Sequence, residues 1–379
     1  MLDKMSRVFL FRGSHPMYET LVRCPPEGIE YFPRKKSSER DQYTLYNPGQ
    51  SAVRRIVDGT FEALRTPRYV PVVRQYDLVH SSRGFLVLGR NNYVVDIEHV
   101  DSFAGMRHER MSSPQLRRLI EKGLISDRCM AVLPHCIAAR KTLSLVTSDS
   151  RILEKATVIY PSVFPAPARL ARTDDSSPTV LFMGEYYWKG GREVILACER
   201  LAKKLDFRLV YISLRVHPPE DAVTKAKESF PFEYHEGQIS RVELFSRVYP
   251  STDIFVMPTY FDSFGYAFLE AMSYGIPCVG TDIFAVPEII ENDVTGLLVK
   301  PHLSYYDDRG FAHPELPVES ADSSSTVEGL CKTLDRLLSS KSLRTRMGSE
   351  SIRSVEEGKF SIRARNSTLK EIYERCMSS

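Results

Sequence analysis

Long apolar runs alternate with amphipathic stretches through the middle and C-terminal part of this 379-residue chain. Apolar runs without polar alternation are typical of strands buried on both faces, as in parallel sheets covered by helices. The pattern predicts strands at residues 179–183, 208–213, 232–235, 254–257 and 277–280, and helices at 191–205, 240–249 and 265–274. We therefore predict an α/β fold with a doubly wound parallel sheet.

The N-terminal part shows the same alternation with shorter apolar runs. Residues 7–11 and 156–160 are predicted strands, and residues 113–124 are a predicted helix with Ser113 at its N-cap. A linker is predicted at residues 166–178, which are rich in Pro, Ala, Asp and Ser. The predicted units are an N-terminal domain at 1–165, the linker 166–178, a C-terminal domain at 179–360, and a helix at 361–379 that packs back on the N-terminal domain.

The acidic, serine-rich residues 302–325 interrupt the alternation of the C-terminal part and predict a surface loop. The seven cysteines are scattered without a C-x-x-C pair. This usage indicates reduced thiols rather than a disulfide framework or a zinc site. No apolar run approaches the roughly 20 residues that span a bilayer, and the N-terminus lacks a signal-peptide pattern. We therefore expect a cytoplasmic protein.

Charge is distributed unevenly along the chain. Residues 1–170 carry 26 Lys and Arg against 17 Asp and Glu, whereas the remainder carries 25 against 31. The basic part could face an anionic membrane or a phosphorylated acceptor, so peripheral contact with the inner face of the membrane is one expectation. A solvated basic face is the alternative, for example on the predicted helix that carries Arg117 and Arg118.

Two strand-loop-helix segments carry the candidate chemistry. In the segment 253–282, a buried strand leads into a loop that includes Ser263, Phe264 and Gly265, and a helix follows. Ligands of open α/β sheets bind beyond the carboxyl ends of the strands, where backbone N–H groups at a helix start suit a phosphate. Glu270 lies within this apolar helix, where a carboxylate needs hydrogen-bonding partners. A ribose diol would suit it, and a backbone N–H or a lysine is the alternative.

The second segment, residues 181–192, has a similar order of elements. Its strand ends near Gly184, and Lys189 precedes the pair Gly190-Gly191. The lysine could bind a diphosphate as a point charge, and the glycines permit close backbone approach. The segment matches neither a P-loop nor a G-x-G-x-x-G dinucleotide motif.

The two segments together closely resemble the C-terminal domain of family-4 retaining glycosyltransferases. The resemblance runs from Gly184 through the Asp262–Gly265 loop and Glu270-Ala271-Met272 to Pro287-Glu288 and residues 295–299. It covers residues 179–300 well and the N-terminal part only thinly. It implies the GT-B fold, in which two Rossmann-like domains face each other across a cleft, and transfer of a sugar from a UDP- or GDP-sugar to an acceptor hydroxyl.

The resemblance also implies roles for individual residues. Glu270 would hold the nucleotide ribose, Asp262 would touch the donor sugar, and Lys189 would bind the diphosphate with Arg192 assisting. His99, on the acceptor side, would face the sugar, and an ordinary loop histidine is the alternative. His80 and His135 are further candidates because they lie near strand ends. The implied catalytic residues are His99, Lys189 and Asp262, and the implied donor-binding residues are Gly184, Lys189, Arg192, Gly237, Ile239, Asp262, Ser263, Phe264, Gly265 and Glu270. Backbone amides and cations would stabilise the leaving diphosphate, so no metal or other cofactor is expected.

Two positions depart from the family pattern. Glu185 stands where a basic residue commonly shares the diphosphate, and Phe284-Ala285 replaces a Gly-Gly pair near the donor sugar. These departures keep two other functions open, a non-catalytic nucleotide-sugar-binding partner subunit and a sugar-nucleotide epimerase of the same fold. The expected partners are a nucleotide-sugar donor and a glycan, lipid-linked or small-molecule acceptor, without nucleic acid.

Overall fold

The computed structural model describes residues 5–12, 15–32, 59–167, 177–237, 239–307, 310–313 and 315–378. Within these residues each half of the chain builds one parallel sheet. This arrangement confirms the predicted α/β class with two doubly wound sheets. The predicted linker 166–178 lies mostly outside the described residues, and the predicted domain boundaries stay predictions.

The first sheet has the strand order β2-β1-β4-β6-β7, with every described pair parallel. A separate two-stranded parallel sheet pairs β3 with β5. The strands are β1 (Ser6–Phe11), β2 (Ile29–Phe32), β3 (Tyr69–Val72), β4 (Leu78–Ser81), β5 (Leu86–Gly89), β6 (Tyr93–Ile97) and β7 (Cys129–Pro134). The α-helices of this part are α1 (Met17–Arg23), α2 (Pro114–Ile125), α3 (Ile137–Lys141) and α4 (Ser150–Glu154), and 3-10 turns span Val100–Ala104, His108–Ser112 and Thr142–Leu145.

The second sheet has the order β10-β9-β8-β11-β12-β13, and all its strands are parallel. Its strands are β8 (Thr179–Gly184), β9 (Arg208–Ser213), β10 (Phe232–Glu236), β11 (Ile254–Met257), β12 (Cys278–Thr281) and β13 (Gly296–Val299). Its helices are α5 (Gly191–Leu201), α6 (Glu220–Ser229), α7 (Tyr266–Ser273) and α8 (Val286–Ile289). Chain order reverses between the neighbours β8 and β11, and in open α/β sheets ligands bind beyond the carboxyl ends of the strands at such a switch point.

Three helices follow the second sheet, α9 (Ser324–Leu338), α10 (Lys341–Glu356) and α11 (Ile362–Ser378). Helix α11 packs against β4 and β7 of the first sheet. Its Tyr373 hydroxyl lies 3.0 Å from the Tyr31 hydroxyl and 2.5 Å from His80 Nδ1. The buried Arg365 guanidinium donates to Thr20 at 2.7 Å and to Ser162 at 2.6 Å, which ties this helix to the N-terminal half. No described helix has both the length and the apolarity needed to cross a bilayer.

Three local predictions were wrong. Residues 156–160 form only an isolated bridge at Ala156, although the backbone N–H groups of Thr157 and Ile159 donate to carbonyls of β7. Residues 240–249 are not one regular helix but a single α turn followed by a π turn at Leu244–Val248 and a 3-10 turn at Tyr249–Ser251. Residues 302–325 are not simply a surface loop, because Tyr305, Tyr306 and Val318 are buried, among other residues.

Candidate functional site

Lys189 lies in the loop after β8 and contacts the loop after β11. Its Nζ donates to the Phe261 carbonyl at 2.6 Å and to Asp262 Oδ2 at 2.8 Å. Both charged side chains remain partly exposed, at 22% for the lysine and 16% for the aspartate. The structure therefore brings together two sequence-predicted residues from different loops and leaves part of the lysine side chain exposed.

Two glycines allow this approach of the loops. A Cβ atom on Gly184 would lie 2.6 Å from Lys189 Cβ, so only glycine lets the lysine stem pass over the end of β8. Gly190 has φ +73°, and a Cβ there would lie 2.3 Å from the Pro258 carbonyl oxygen. The positive φ and the close contact both favour glycine, and together they hold the loop after β8 against the loop after β11.

The loop after β11 turns sharply into helix α7. Asp262 Oδ1 accepts a hydrogen bond from the Phe264 backbone N–H at 3.2 Å, and Gly265 has φ +94° at the helix start. Phe264 itself is buried in the core of the second sheet. Ser263 Oγ donates to Glu98 Oε2 of the N-terminal half at 2.7 Å. This predicted donor loop therefore spans the cleft between the two halves.

Glu270 is buried in helix α7, with 3% of the residue exposed. Arg241 donates to Oε1 at 2.7 Å, and the Tyr249 hydroxyl donates to Oε2 at 3.2 Å. The carboxylate is thus satisfied by an arginine and a tyrosine, neither of which was predicted. The sequence could have identified Arg241 as a candidate site residue, because it closely follows the carboxyl end of β10, and ligands bind at that edge of the sheet. Each carboxylate oxygen has further lone pairs with which to accept ligand hydroxyls.

The structure places the remaining predicted donor-binding residues differently from one another. Gly237 has φ +83° and follows β10, and Ile239 is buried beside it, whereas Gln238 lies outside the described residues. Arg192 is directed elsewhere, because it donates to Glu193 and to the carbonyls of residues 319 and 321. Glu185, at the departure from the family pattern, lies 3.6 Å from Arg215 in a partly exposed ion pair.

His99 is buried at the other side of the cleft, with 2% exposed. Its Nε2 lies 2.7 Å from the Gly310 carbonyl. Its ring stacks on Tyr306 with centroids 5.4 Å apart. Burial opposes the charged form of the ring, yet the neighbouring Asp101 carboxylate and the Gly310 carbonyl raise the pKa of His99. His99 is therefore in direct contact with Tyr306 and Gly310, which follow β13.

The residues that cover His99 belong to what we call the aromatic segment, residues 305–307 and 310–312. Tyr305, Tyr306 and Ala312 form a small apolar cluster with neighbours from the second sheet's loops, namely Trp188, Phe261, Phe284 and Leu316. Phe284 stacks on Tyr306 at 4.3 Å and has φ +43°, a conformation that favours glycine. No sequence signal had indicated this cluster, because its rings meet only through tertiary contacts.

The other two candidate histidines form a separate buried cluster around Asp96. His80 Nε2 and His135 Nε2 lie 3.3 and 3.5 Å from its carboxylate, and the Tyr18 hydroxyl donates to it at 3.1 Å. Burial opposes ionisation of this carboxyl, but the two imidazoles beside it hold the pKa of Asp96 well below its usual range. These contacts assign His80 and His135 to the interior of the N-terminal half.

Comparisons with known proteins agree with this geometry. Residues 177–312 match the family described as glycosyl transferases group 1. The D-inositol 3-phosphate glycosyltransferase of Nocardia farcinica is 24% identical over 329 residues, which cover 75% of this chain and 72% of that protein. The match confirms the predicted resemblance to glycosyltransferases.

Solved structures show the same architecture over nearly the whole chain. Sucrose-phosphate synthase from Thermosynechococcus elongatus has a TM-score of 0.64 at 15% identity, covering 98% of this chain and 99% of that one. HepE of Anabaena, solved in complex with UDP and glucose, has a TM-score of 0.58 at 13% identity, covering 98% and 99%. At these identities the similarity concerns the fold, and it confirms the predicted GT-B architecture.

Proposed function

We propose that this chain moves a sugar from a UDP-sugar to an acceptor hydroxyl with retention at the anomeric carbon. The premise is that the chain is a glycosyltransferase, which its match to the group 1 family and its relatives support. The observation that carries the proposal is the Lys189 ammonium at the switch point of the second sheet, within reach of Asp262 and beside the loop that leads to Glu270. The UDP and glucose of the HepE complex favour uridine over guanosine.

The leaving diphosphate would be neutralised without a metal. The Lys189 ammonium, now held by one carboxylate and one carbonyl, would turn to the phosphate oxygens as charge develops on them. Backbone N–H groups at the start of helix α7 would add to this stabilisation. Since Arg192 is held by other partners and Glu185 is acidic, Lys189 would supply most of the positive charge.

Glu270 would bind the ribose diol. Its burial and its two protein partners fix the carboxylate in one orientation, so that it accepts ribose hydroxyls without reorganising. The backbone of residues 237 and 239 would border the base. These roles agree with the family pattern and rest on the contacts of Arg241 and Tyr249 described above.

The transfer step would be a same-face substitution. The bond from the anomeric carbon to the diphosphate oxygen breaks, the bond to the acceptor oxygen forms, and the departing phosphate oxygen takes the acceptor proton. Asp262 would orient the sugar hydroxyls from the Lys189 side of the cleft. His99 would face the sugar only after the aromatic segment moves, because that segment now covers its ring.

A thermal-shift panel of UDP, GDP, ADP and their sugar conjugates tests the proposal. A ligand at a hundred times its dissociation constant stabilises a protein by about 2.7 kcal/mol. We expect UDP and one UDP-sugar to raise the melting temperature of the wild type, and not of Glu270→Ala. Stabilisation by GDP alone would replace the base in the proposal, and no shift with any nucleotide would contradict it.

A non-catalytic nucleotide-sugar-binding subunit is a second candidate. The cover over His99 by Tyr306 and the stacking of Phe284 where the family has glycine favour it. The two candidates differ in turnover, because both would bind the nucleotide. Release of UDP from the stabilising UDP-sugar, measured with and without candidate acceptors, separates them. A sugar-nucleotide epimerase would instead convert the sugar without releasing UDP.

A further inference from the structure

The small sheet of β3 and β5 presents an apolar face to solvent. Pro71 and Leu88 are neighbours in the register of this sheet, and both are exposed, Leu88 at 51%. Val73 lies two residues after Pro71, on the same side of the chain, and is 98% exposed. The side chains of Val70 and Val72 are buried in the core of the N-terminal half. We call Pro71, Val73 and Leu88 the exposed apolar face.

Hydrogen bonds hold the backbone of this face in place. The buried Asn91 side chain donates to the carbonyls of Val72 and Arg74, at 3.1 and 3.2 Å. Its Oδ1 accepts from the Tyr76 N–H at 2.9 Å. The loop after β3 is thus tied down on both sides of Val73. Single exposed apolar side chains are common on protein surfaces, whereas adjacent ones on a fixed backbone indicate a contact site.

Basic side chains border the exposed apolar face. Arg74 and Arg90 lie in the two loops that Asn91 joins, and both are exposed. Arg128 is exposed too, and its guanidinium donates to the carbonyl of Gly89 at the end of β5. In the part of the chain that the structure describes, none of these three arginines forms an ion pair with a carboxylate. Their charges therefore face solvent next to the apolar side chains.

Helix α2 adds two cations beside β5. Gly123 of this helix packs so closely on Leu86 that a Cβ atom on the glycine would lie 2.5 Å from Leu86 Cδ1. Arg118 and Lys122 of the same helix are exposed and lie one turn apart. The strands β3 and β5, their loops and helix α2 thus carry five exposed cations, three from the loops and two from the helix.

The carboxylates around β3, β5 and α2 do not balance these cations. The exposed ones are Asp77 and Asp127. Asp77 already accepts a hydrogen bond from the Arg7 backbone N–H at 2.7 Å. Glu121 of α2 is only partly exposed and accepts from the Thr147 hydroxyl at 2.7 Å. The surface is therefore positive around an apolar centre.

We propose that the exposed apolar face and the cations beside it dock on the surface of an anionic lipid bilayer. Apolar side chains enter the headgroup region of a bilayer, and lysine and arginine side chains contact the lipid phosphates. Three apolar side chains offer far less area than the roughly 800 Å² per partner that a stable protein–protein interface buries. A bilayer needs no matching shape, and its negative charge complements the five cations. These observations favour a bilayer over a protein partner.

Docking would be peripheral and would not require the nucleotide. Neither the exposed apolar face nor the five cations include a residue of the proposed donor site. The inference therefore goes beyond the proposed function, and each can fail without the other.

Sedimentation of the full-length protein with unilamellar vesicles, without nucleotide, tests the inference. Vesicles of phosphatidylcholine alone are compared with vesicles of phosphatidylcholine and phosphatidylglycerol in equal parts. We expect binding to the anionic vesicles to be roughly tenfold tighter or more, because several cations contribute. Added NaCl should weaken this binding, because salt screens charges. Arg90→Gln should weaken it about fivefold, since one basic side chain contributes about 1 kcal/mol. Lys203→Gln, at an exposed lysine of the C-terminal half, should have no effect.

Substitutions in the exposed apolar face test insertion separately. Val73→Asp and Leu88→Asp should each weaken binding to the anionic vesicles roughly tenfold, because apolar contact is lost and a negative charge is added. Val216→Asp, at a valine of the C-terminal half that is 40% exposed, should leave it unchanged. Circular dichroism and urea unfolding show that each variant is folded. Equal binding to both kinds of vesicle, no binding to either, or equal effects of the matched variants would overturn the inference.

Discussion

Glu270→Gln tests whether the buried carboxylate binds the ribose hydroxyls. The change keeps the shape of the side chain and one acceptor oxygen, and it removes the negative charge opposite Arg241. Hydrogen bonds to a charged group contribute about 1.5–3 kcal/mol each, and those of Glu270 are partly shared with Arg241 and Tyr249. We therefore assign about 2 kcal/mol to the two ribose hydroxyls together, which corresponds to a roughly 30-fold ratio of dissociation constants.

Calorimetric titration with UDP and with 2′,3′-dideoxy-UDP measures this ratio directly. We expect the wild type to prefer UDP by roughly 30-fold and Glu270→Gln to prefer it by less than about 3-fold. The substitution weakens an ion pair whose carboxylate is buried and whose Arg241 side chain is 19% exposed. A loss of about 1–2 kcal/mol of stability, or a few degrees in melting temperature, should accompany it without unfolding the protein.

A matched substitution separates the ribose contact from a general loss of charge. Glu243→Gln removes an exposed carboxylate that pairs with Arg247 on the neighbouring turn, and it should change neither the UDP affinity nor the preference. If folded Glu270→Gln retains the full preference for UDP over the dideoxy analogue, the carboxylate has only a structural role. Equal weakening of both ligands would lead to the same conclusion.

Four further predictions concern the same site and the fold. Lys189→Met should weaken UDP at least tenfold and leave uridine binding unchanged, since the lost contact is with the diphosphate; equal losses in calorimetry would assign the lysine a structural role. Urea unfolding should show that Gly190→Ala lowers the free energy of unfolding several times more than Gly237→Ala does. Both glycines have positive φ, but only a Cβ atom at residue 190 would clash with Pro258, at 2.3 Å from its carbonyl oxygen. UDP affinity should be the same with and without EDTA, and a requirement for a divalent ion would refute the metal-free diphosphate site. The depressed pKa of Asp96 contributes stability that is present above the ordinary aspartate pKa of about 4 and is lost as pH falls through the folded value. The free energy of unfolding of the wild type should therefore exceed that of Asp96→Asn by less at pH 3 than at pH 7. A constant difference would contradict the assigned shift.

Local patterns in the sequence predicted the elements that are stabilised by neighbours along the chain. Apolar runs such as residues 179–183 and 254–257 are strands in the structure, because a strand covered on both faces requires that composition over its whole length. The candidate donor site could also be located, since strand, loop and helix follow one another in each segment and parallel strands end at the same edge. The contact between Lys189 and Asp262 agrees with that reasoning.

Irregular elements departed from the predictions because periodicity describes only regular ones. The predicted helix at 240–249 has an apolar face of the right spacing, yet a π turn interrupts it and directs Tyr249 to Glu270. Such a turn depends on the contact that it makes, which lies 21 residues away along the chain. The partners of a buried carboxylate are therefore a property of the folded molecule.

Residues 302–325 show most clearly what the tertiary structure alone decided. Their acidic and serine-rich composition is typical of a surface loop, because local composition averages over side chains with different environments. In the folded chain Tyr305 and Tyr306 instead pack against rings from four separate segments, and Gly310 accepts from His99 more than two hundred residues earlier. The sequence alone determined most of the buried strands of the second sheet and the order of strand, loop and helix at the candidate donor site, whereas the burial of His99 under Tyr306 and Gly310 arose only when distant segments met.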